Sequence, residues 1–396
     1  MGNYTGNLTE NQVAILAAIE TGIPLMAWGG VGLGKTDTAK TMAQQLGFTV
    51  ILDHPSHHPD ASAFGGYHFI DHKERGERTL PLTRRSVPEW LERALDASEK
   101  NEKIVIILDE YNLAAEDVLK ETLGFLRGKR LGPIQLPIDT PVILLNNPPN
   151  MALYPTPIEV PVQTRVMMHQ WKLEEKAVID YFKSGGQVSF DVPKIDENWK
   201  KRISDSMYVV GMFLESRPDL ISNVPEDPSM RSEMDSYSVP RTWEYMATLR
   251  TWAQARGLSD KEFKNLAKGL VGKGAGNEFV EFAAKNDIGN PEVALSNPLD
   301  FTIPDRGDRV IALVNGIAEV FGQNPTEERW KNAWTAIGRI FSSEYQEAAM
   351  SAARKMREKN VGGWPEPAKL RSLLGEEGEA AKNNNLGSIL TNIKKR

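Results

Sequence analysis

Residues 28–40 read WGGVGLGKTDTAK, with four glycines inside six residues followed at once by a lysine and a hydroxyl. Glycine permits turns that other residues resist and lets backbone amides approach a ligand closely. Gly29, Gly30, Val31, Gly32, Leu33, Gly34, Lys35 and Thr36 fit G-x-x-x-x-G-K-[ST], a phosphate-binding loop. Such a loop constrains its surroundings, because it needs a strand before it and a helix after it. Residues 23–28 read as a short buried strand, and residues 37–46 as a helix whose N-terminus favours an anion. The amides of 29–36, with Asp37 at the helix start, form the candidate phosphate cradle. Lys35 is expected to reach the β/γ-phosphates, and the Thr36 hydroxyl to hold Mg²⁺.

The rest of the first half supplies a sheet. Residues 8–13 open a helix whose apolar spacing continues through Val13, Leu16, Ala17 and Ile19. Residues 48–52 predict a second strand, 54–86 read as irregular and polar, and a helix is expected over 87–98. Residues 104–108 (IVIIL) and 141–145 (PVILL) are continuous apolar runs, the pattern of strands buried on both faces. A helix is expected over 115–126. Strands alternating with helices after a phosphate loop predict an α/β domain with a parallel sheet wound on both faces. Beyond about residue 172 the pattern turns helical, with helices expected at 173–184, 197–214, 240–256, 260–270, 275–285, 307–321, 327–340 and 343–358. No internal repeat is visible, and residues 375–396 are polar and expected to be mobile.

Asp109 and Glu110 follow the 104–108 strand directly, about 75 residues after the phosphate loop. Asp109 is expected to bind Mg²⁺ and Glu110 to polarise an attacking water. Residues 144–149 (LLNNPP) again put polar groups at a strand end. An amide there would position the water or touch the γ-phosphate, although Asn-Pro also starts ordinary turns.

The order of phosphate loop, Leu108-Asp109-Glu110 and a strand ending in Asn147-Pro148 resembles the AAA+ ATPases, and within them the MoxR-type, dynein-related group. Residues 59–67 (PDASAFGGY) resemble that group's segment between the second and third strands, which often carries an inserted hairpin. Residues 123–130 (LGFLRGKR) with 134–137 (IQLP) resemble its helix and hairpin before sensor 1. Residues 238–241 (SVPR) resemble the start of its lid helix. The resemblance implies sensor 1 at Asn147, with Asn146 the less favoured choice, and sensor 2 at Arg241 reaching the γ-phosphate in cis. It implies a trans-acting arginine finger at Arg165, where Val166 stands in place of the usual phenylalanine. It further implies ATP and Mg²⁺ as ligands, a homo-oligomeric ring, commonly a hexamer, and remodelling of a protein client, often with a von Willebrand factor A-type partner. The implied domains are 1–171 (nucleotide-binding α/β), 172–258 (helical lid) and 259–396 (helical C-terminal region with a mobile tail). The alternatives are a nucleic-acid-stimulated motor ATPase and a nucleotide-switched scaffold with low turnover.

Composition narrows the classes. The chain has 396 residues and no cysteine, which excludes disulfides, thiolate catalysis and cysteine-based zinc sites. A formal charge of −6 leans against broad nucleic-acid binding. The polar start, residues 1–9, lacks a signal-peptide pattern, and no apolar run approaches the roughly 18 residues of a membrane helix. Together these favour a cytoplasmic protein without membrane insertion. Five of the six histidines lie at His54, His57, His58, His68 and His72. They lack a helical His-x-x-x-His register, so a solvated or pore-facing loop is favoured there over a metal site. Tyr67-His68-Phe69-Ile70 reads either as an aromatic patch that grips a polypeptide or as a packed hairpin. Arg75, Arg78, Arg84 and Arg85 read as a solvated face. Trp243, Trp252, Trp330 and Trp334 read as core anchors.

Overall fold

The structure, a computed structural model, describes residues 8–186, 190–286, 289–341, 343 and 345–364. The 375–396 stretch lies outside the described residues. By internal contacts the chain divides into two compact units, residues 1–200 with 217–280, and residues 201–216 with 281–396. This division differs from sequence boundaries at 171 and 258. Residues 217–280 group with the sheet, while residues 201–216, inside the 172–258 stretch expected as a lid, group with the second unit.

The first unit opens with α1 (Glu10–Thr21), β1 (Leu25–Trp28) and α2 (Lys35–Gln45). Thr9 caps α1 through a reciprocal pair with Gln12, and Gly22 ends it in the left-handed region. Next come β2 (Thr49–Asp53), the short helix α3 (Ala61–Gly65), and the antiparallel strands β3 (His68–Arg75) and β4 (Arg78–Arg85). These strands fill the stretch whose composition reads as irregular, in agreement with the hairpin that the family resemblance implies. Then follow α4 (Glu89–Glu99), β5 (Ile104–Leu108), α5 (Glu116–Gly128), a two-residue ladder of β6 (Arg130–Leu131) with β7 (Ile134–Gln135), and β8 (Val142–Asn146). The sheet closes with α6 (Val160–Gln163) and β9 (Met167–Gln170), followed by α7 (Glu175–Lys183).

Five strands make one parallel sheet in the order β2-β5-β8-β1-β9. The expected α/β architecture, a parallel sheet wound on both faces and followed by helical regions, is therefore present. Successive strand residues point to opposite faces. Met26, Trp28, Ile106, Leu108, Val142 and Leu144 share a buried cluster with Trp90 of α4 and Phe125 of α5. Helices α1 and α2 contact the strands without joining that cluster, and so cover the opposite face.

The chain then passes to α8 (Ile203–Ser216) in the second unit and returns for α9 (Pro240–Arg256) and α10 (Asp260–Val271). α10 lies so close to β9 that a Cβ on Gly269 would come within 2.0 Å of the Met168 carbonyl oxygen. Only glycine fits there without moving backbone. α11 (Lys273–Lys285) leads back into the second unit, which holds α12 (Pro291–Ser296), α13 (Gly307–Gln323), α14 (Glu327–Phe341) and α15 (Gln346–Glu358). Its core is built from Leu313, Ile317, Phe321, Trp330, Trp334 and Ile337. All four tryptophans named as anchors are buried. Among the described residues, no helix is long and apolar enough to cross a membrane.

One buried polar contact ties α1 to α9. Glu20 accepts from Trp252 Nε1 at 2.7 Å and from Arg256 Nε at 2.8 Å, and it also pairs with the second guanidinium nitrogen. Arg256 is almost wholly buried. Removing the carboxylate strands a buried cation, which costs about 3 kcal/mol or more. Glu20→Ala is therefore expected to lower urea stability, read by tryptophan fluorescence, by that amount. Glu20→Gln, which keeps an acceptor oxygen, should lose less. An unchanged midpoint in Glu20→Ala would mean that water satisfies the guanidinium.

Candidate nucleotide-binding site

β8 lies between β1 and β5, so the ends of these three strands line up along one edge of the sheet. Trp28 stands opposite Asn146, and Leu108 opposite Leu144. The glycine loop leaves β1 with Gly29 donating to the Asn146 carbonyl at 3.2 Å. Gly34 takes a left-handed backbone (φ 72°) to start α2, a conformation an L side chain resists. Lys35 is buried, and its Nζ donates to the carbonyls of Gly29 (2.7 Å) and Gly30 (2.9 Å) and to Asn147 Oδ1 (3.0 Å). Burial pushes its ammonium below the usual lysine range, while the nearby Asp109 charge acts in the opposite direction.

Thr36 Oγ1 donates to Asp109 Oδ2 at 2.6 Å. Asp109 Oδ1 accepts from the Glu110 backbone at 2.9 Å. Glu110 itself sits in the left-handed region (φ 50°, ψ 37°), a strained state for a non-glycine residue. Its carboxylate accepts from Ser56 Oγ at 3.2 Å. Lys35, Thr36, Asp109, Glu110 and Asn147 thus come together at one end of the sheet.

Asn112, which sequence reasoning passes over, is fully buried behind Asn147. Its backbone N–H donates to Asn146 Oδ1 at 2.9 Å, and its Nδ2 donates to the Asn147 carbonyl at 2.9 Å. Asn146 is spent on this internal contact, whereas Asn147 faces Lys35. An asparagine two residues after an acidic pair is the only signal in the sequence, and it has no period to make it visible.

The two arginines lie elsewhere. Arg165 precedes β9, which runs parallel to β1 with Leu25 opposite Met167. Two residues before Met167, it is level with residue 23, six residues or about 20 Å along the strand direction from Gly29. Arg241, expected to reach the γ-phosphate in cis, lies beside Arg165 in the structure. Its guanidinium reaches the Thr164 carbonyl at 3.4 Å and acts on Arg165. The segment before α9 is tied there, because Gln163 Nε2 donates to the carbonyls of Ser232 (2.7 Å) and Asp235 (3.0 Å). Burial lowers the Arg165 pKa, and the like charges of Arg241 and Arg127 add to the effect. Arg85, Arg127, Arg130 and Arg165 line one surface depression.

Of the five histidines in this stretch, His57, His68 and His72 are exposed. A 3₁₀ turn at Pro55–His57 stacks the rings of His54 and His57 at 4.9 Å, and the end of β2 lies beside the end of β5, with Asp53 opposite Leu108. Donor atoms of His54, His57 and Glu110 fall within 4.8 Å of one another. His58 instead pairs with Asp53 at 2.9 Å. Tyr67, Phe69 and Ile70 are exposed, so the packed-hairpin reading does not hold. Arg84 pairs with Asp71 at 2.5 Å and Arg85 with Glu121 at 3.0 Å. A separate cavity of about 640 Å³ opens beside the end of β1 and β9, lined by Trp28, His169, Gln170, Asn223, Tyr237 and Lys268 among others.

Comparison with known proteins adds fold-level neighbours. No protein-family profile matches the chain, and no curated protein matches it. Among solved structures it is similar to a candidate ATPase from Cytophaga hutchinsonii, at 15% identity over 66% of this chain and 79% of that one, with a TM-score of 0.39. It is also similar to an MCM homolog from Methanopyrus kandleri, at 12% identity over 70% of this chain and 53% of that one, TM-score 0.31. A point mutant of RuvB from Thermotoga maritima aligns at 12% identity over 87% of this chain and 86% of that one, TM-score 0.25. Values this low leave activity to be judged from the site itself.

His169, at the cavity, offers a test of its electrostatics. Its Nε2 donates to Asn11 Oδ1 at 2.9 Å; the amide is oriented by Asn11 Nδ2 donating to the Lys172 carbonyl at 2.8 Å. Burial holds the imidazole down at about 4, with Glu10 opposing and Lys172 reinforcing the shift. The unfolded chain binds this proton near pH 6.5 and the folded chain only near 4. The contribution of His169 is therefore fully present above the unfolded value and is lost as pH falls from 6.5 toward 4. In a Tm-against-pH comparison, His169→Gln should have a shallower decline than wild type across that window. Parallel curves would remove His169 as the cause.

Proposed function

We propose that the chain hydrolyses ATP in a homo-oligomeric AAA+ ring of the MoxR-type kind and uses the cycle to remodel a protein partner, a von Willebrand factor A-type protein among the candidates. The observation that most supports this reading is the meeting of Lys35, Thr36, Asp109, Glu110 and Asn147 at the ends of three adjacent parallel strands. In this reading the amides of Gly29 to Asp37 and the Lys35 ammonium hold the triphosphate, and the cavity beside Trp28 takes the base and ribose. Thr36 and Asp109 are oxygen donors, the ligand type that Mg²⁺ demands. When bound, Mg²⁺ neutralises charge on the β- and γ-phosphate oxygens. Glu110 accepts the proton of the attacking water, and the Asn147 amide orients the γ-phosphate or that water.

Arg165 and Arg241 then act on the nucleotide of a neighbouring copy. Their crowding beside the start of β9 concentrates positive charge away from the glycine loop's strand ends, and head-to-tail contacts between copies close into a ring where the rotation closes. A hexamer is the number implied by the family resemblance. A protein client is favoured over nucleic acid because the β3–β4 hairpin exposes Tyr67, Phe69 and Ile70, while Arg84 and Arg85 are already paired with carboxylates.

Two experiments test the roles. In fluorescent-nucleotide titration and phosphate-release assays, Lys35→Ala should lose ATP binding. Glu110→Gln should retain binding and lose turnover by about 10²- to 10⁴-fold. Wild-type turnover in Glu110→Gln would remove its role as base.

Action in trans is read by mixing inactive variants. Arg165→Ala and Arg241→Ala should each lose about 10³-fold in turnover. Combining either with Glu110→Gln should restore part of the activity, since some boundaries then pair an intact glutamate with intact arginines. Failure of both mixtures to recover would overturn action in trans. Recovery with Arg165→Ala alone would return Arg241 to its own subunit's site.

A further inference from the structure

Glu110 has neighbours that hydrolysis does not require. The 3₁₀ turn after β2 places His54 and His57 three residues apart, the spacing at which side chains eclipse in that helix. Parallel pairing of β2 with β5 brings this turn to the start of the Tyr111–Leu113 turn, where Glu110 stands. One donor atom from each of His54, His57 and Glu110 lies within 4.8 Å of the others. A second observation is independent of that clustering: His54 Nδ1 is buried without a hydrogen-bond partner. A buried polar atom left unsatisfied calls for an explanation, and an ion is one of the standard ones.

We propose that His54, His57 and Glu110 form a Zn²⁺ site. Two imidazoles and one carboxylate are a donor set that zinc takes with a fourth position left open, at bonds of about 2.0–2.2 Å. Ligands on such an ion stand about 3.4 Å apart, inside the 4.8 Å within which these donor atoms already lie. The set closes by turning the His57 ring out of its stack on His54, which its exposure to solvent permits. Ser56 Oγ, already 3.2 Å from Glu110 Oε2, steadies the carboxylate from the same turn. Filling the site occupies the Glu110 carboxylate and so halts hydrolysis; that consequence rests on the ATPase reading, whereas the binding does not.

Isothermal titration of ZnCl₂ into the nucleotide-free full chain reads the site directly. One equivalent should bind. His57→Ala and Glu110→Gln should each weaken binding by at least about tenfold, and the double variant His68→Ala/His72→Ala, altered only on the exposed hairpin, should bind as wild type does. No saturable binding, equal affinity in wild type, His57→Ala and Glu110→Gln, or a loss that follows His68 and His72 instead would each overturn the site. His57 is exposed and Glu110→Gln is isosteric, so loss of fold does not imitate loss of binding. In the phosphate-release assay with buffered free Zn²⁺, wild type should be inhibited and His57→Ala inhibited less. Binding without inhibition would overturn the block on Glu110. A chain without ATPase activity would overturn the proposed function and leave the titration to decide the zinc site.

Discussion

The contact on which the site depends is the one between Lys35 and Asn147. A lysine in a glycine loop has few local partners, and burial disfavours its charge. Here its three donors are all placed, two on loop carbonyls and one on the asparagine that directly follows β8. That contact exists because β8 is inserted between β1 and β5. The insertion fixes where the loop, the asparagine and the acidic pair stand along the sheet edge. Asn112 locks the arrangement from behind by pairing with both Asn146 and Asn147. Asn146 Oδ1 is satisfied in this way, while its Nδ2 is buried without a partner.

The same sheet sets a limit. Every strand runs parallel, so all strand ends that carry the phosphate-facing groups lie on one side, and what precedes a strand lies on the other. Arg165 and the Thr164 carbonyl that Arg241 touches precede β9. A chain with this topology presents cations and phosphate cradle at opposite ends of one domain. Within a single copy they do not meet.

How much of this is legible in the sequence follows from whether a feature is local. The phosphate loop, the two apolar strands, Asp109-Glu110 and Asn147 are each written within a few consecutive residues, and the structure assembles them at one strand-end edge. Most helices of the second half are also legible, because a 3.6-residue period survives in any tertiary setting. The hairpin is not visible from composition, since β3 and β4 lack apolar alternation and lie almost entirely exposed. The placement of Arg241 depends on how the segment before α9 is pinned to Gln163, about 70 residues away in sequence. The meeting of His54 and His57 with Glu110 depends on the register of β2 against β5. No pattern within residues 54–72 encodes a partner at 110.

Glu110 is where these constraints converge. Asp109 accepts from Thr36 on one carboxylate oxygen and from the Glu110 backbone on the other, and so fixes the turn. The left-handed backbone at Glu110 turns the chain out of β5 and releases the side chain from the strand's alternation. Its carboxylate is held from β2's end by Ser56, with donor atoms of His54 and His57 within 4.8 Å. A carboxylate held from a different strand than its own moves when that strand end moves. A shift of residues 54–57 therefore reaches the Glu110 carboxylate through Ser56 without passing through the glycine loop.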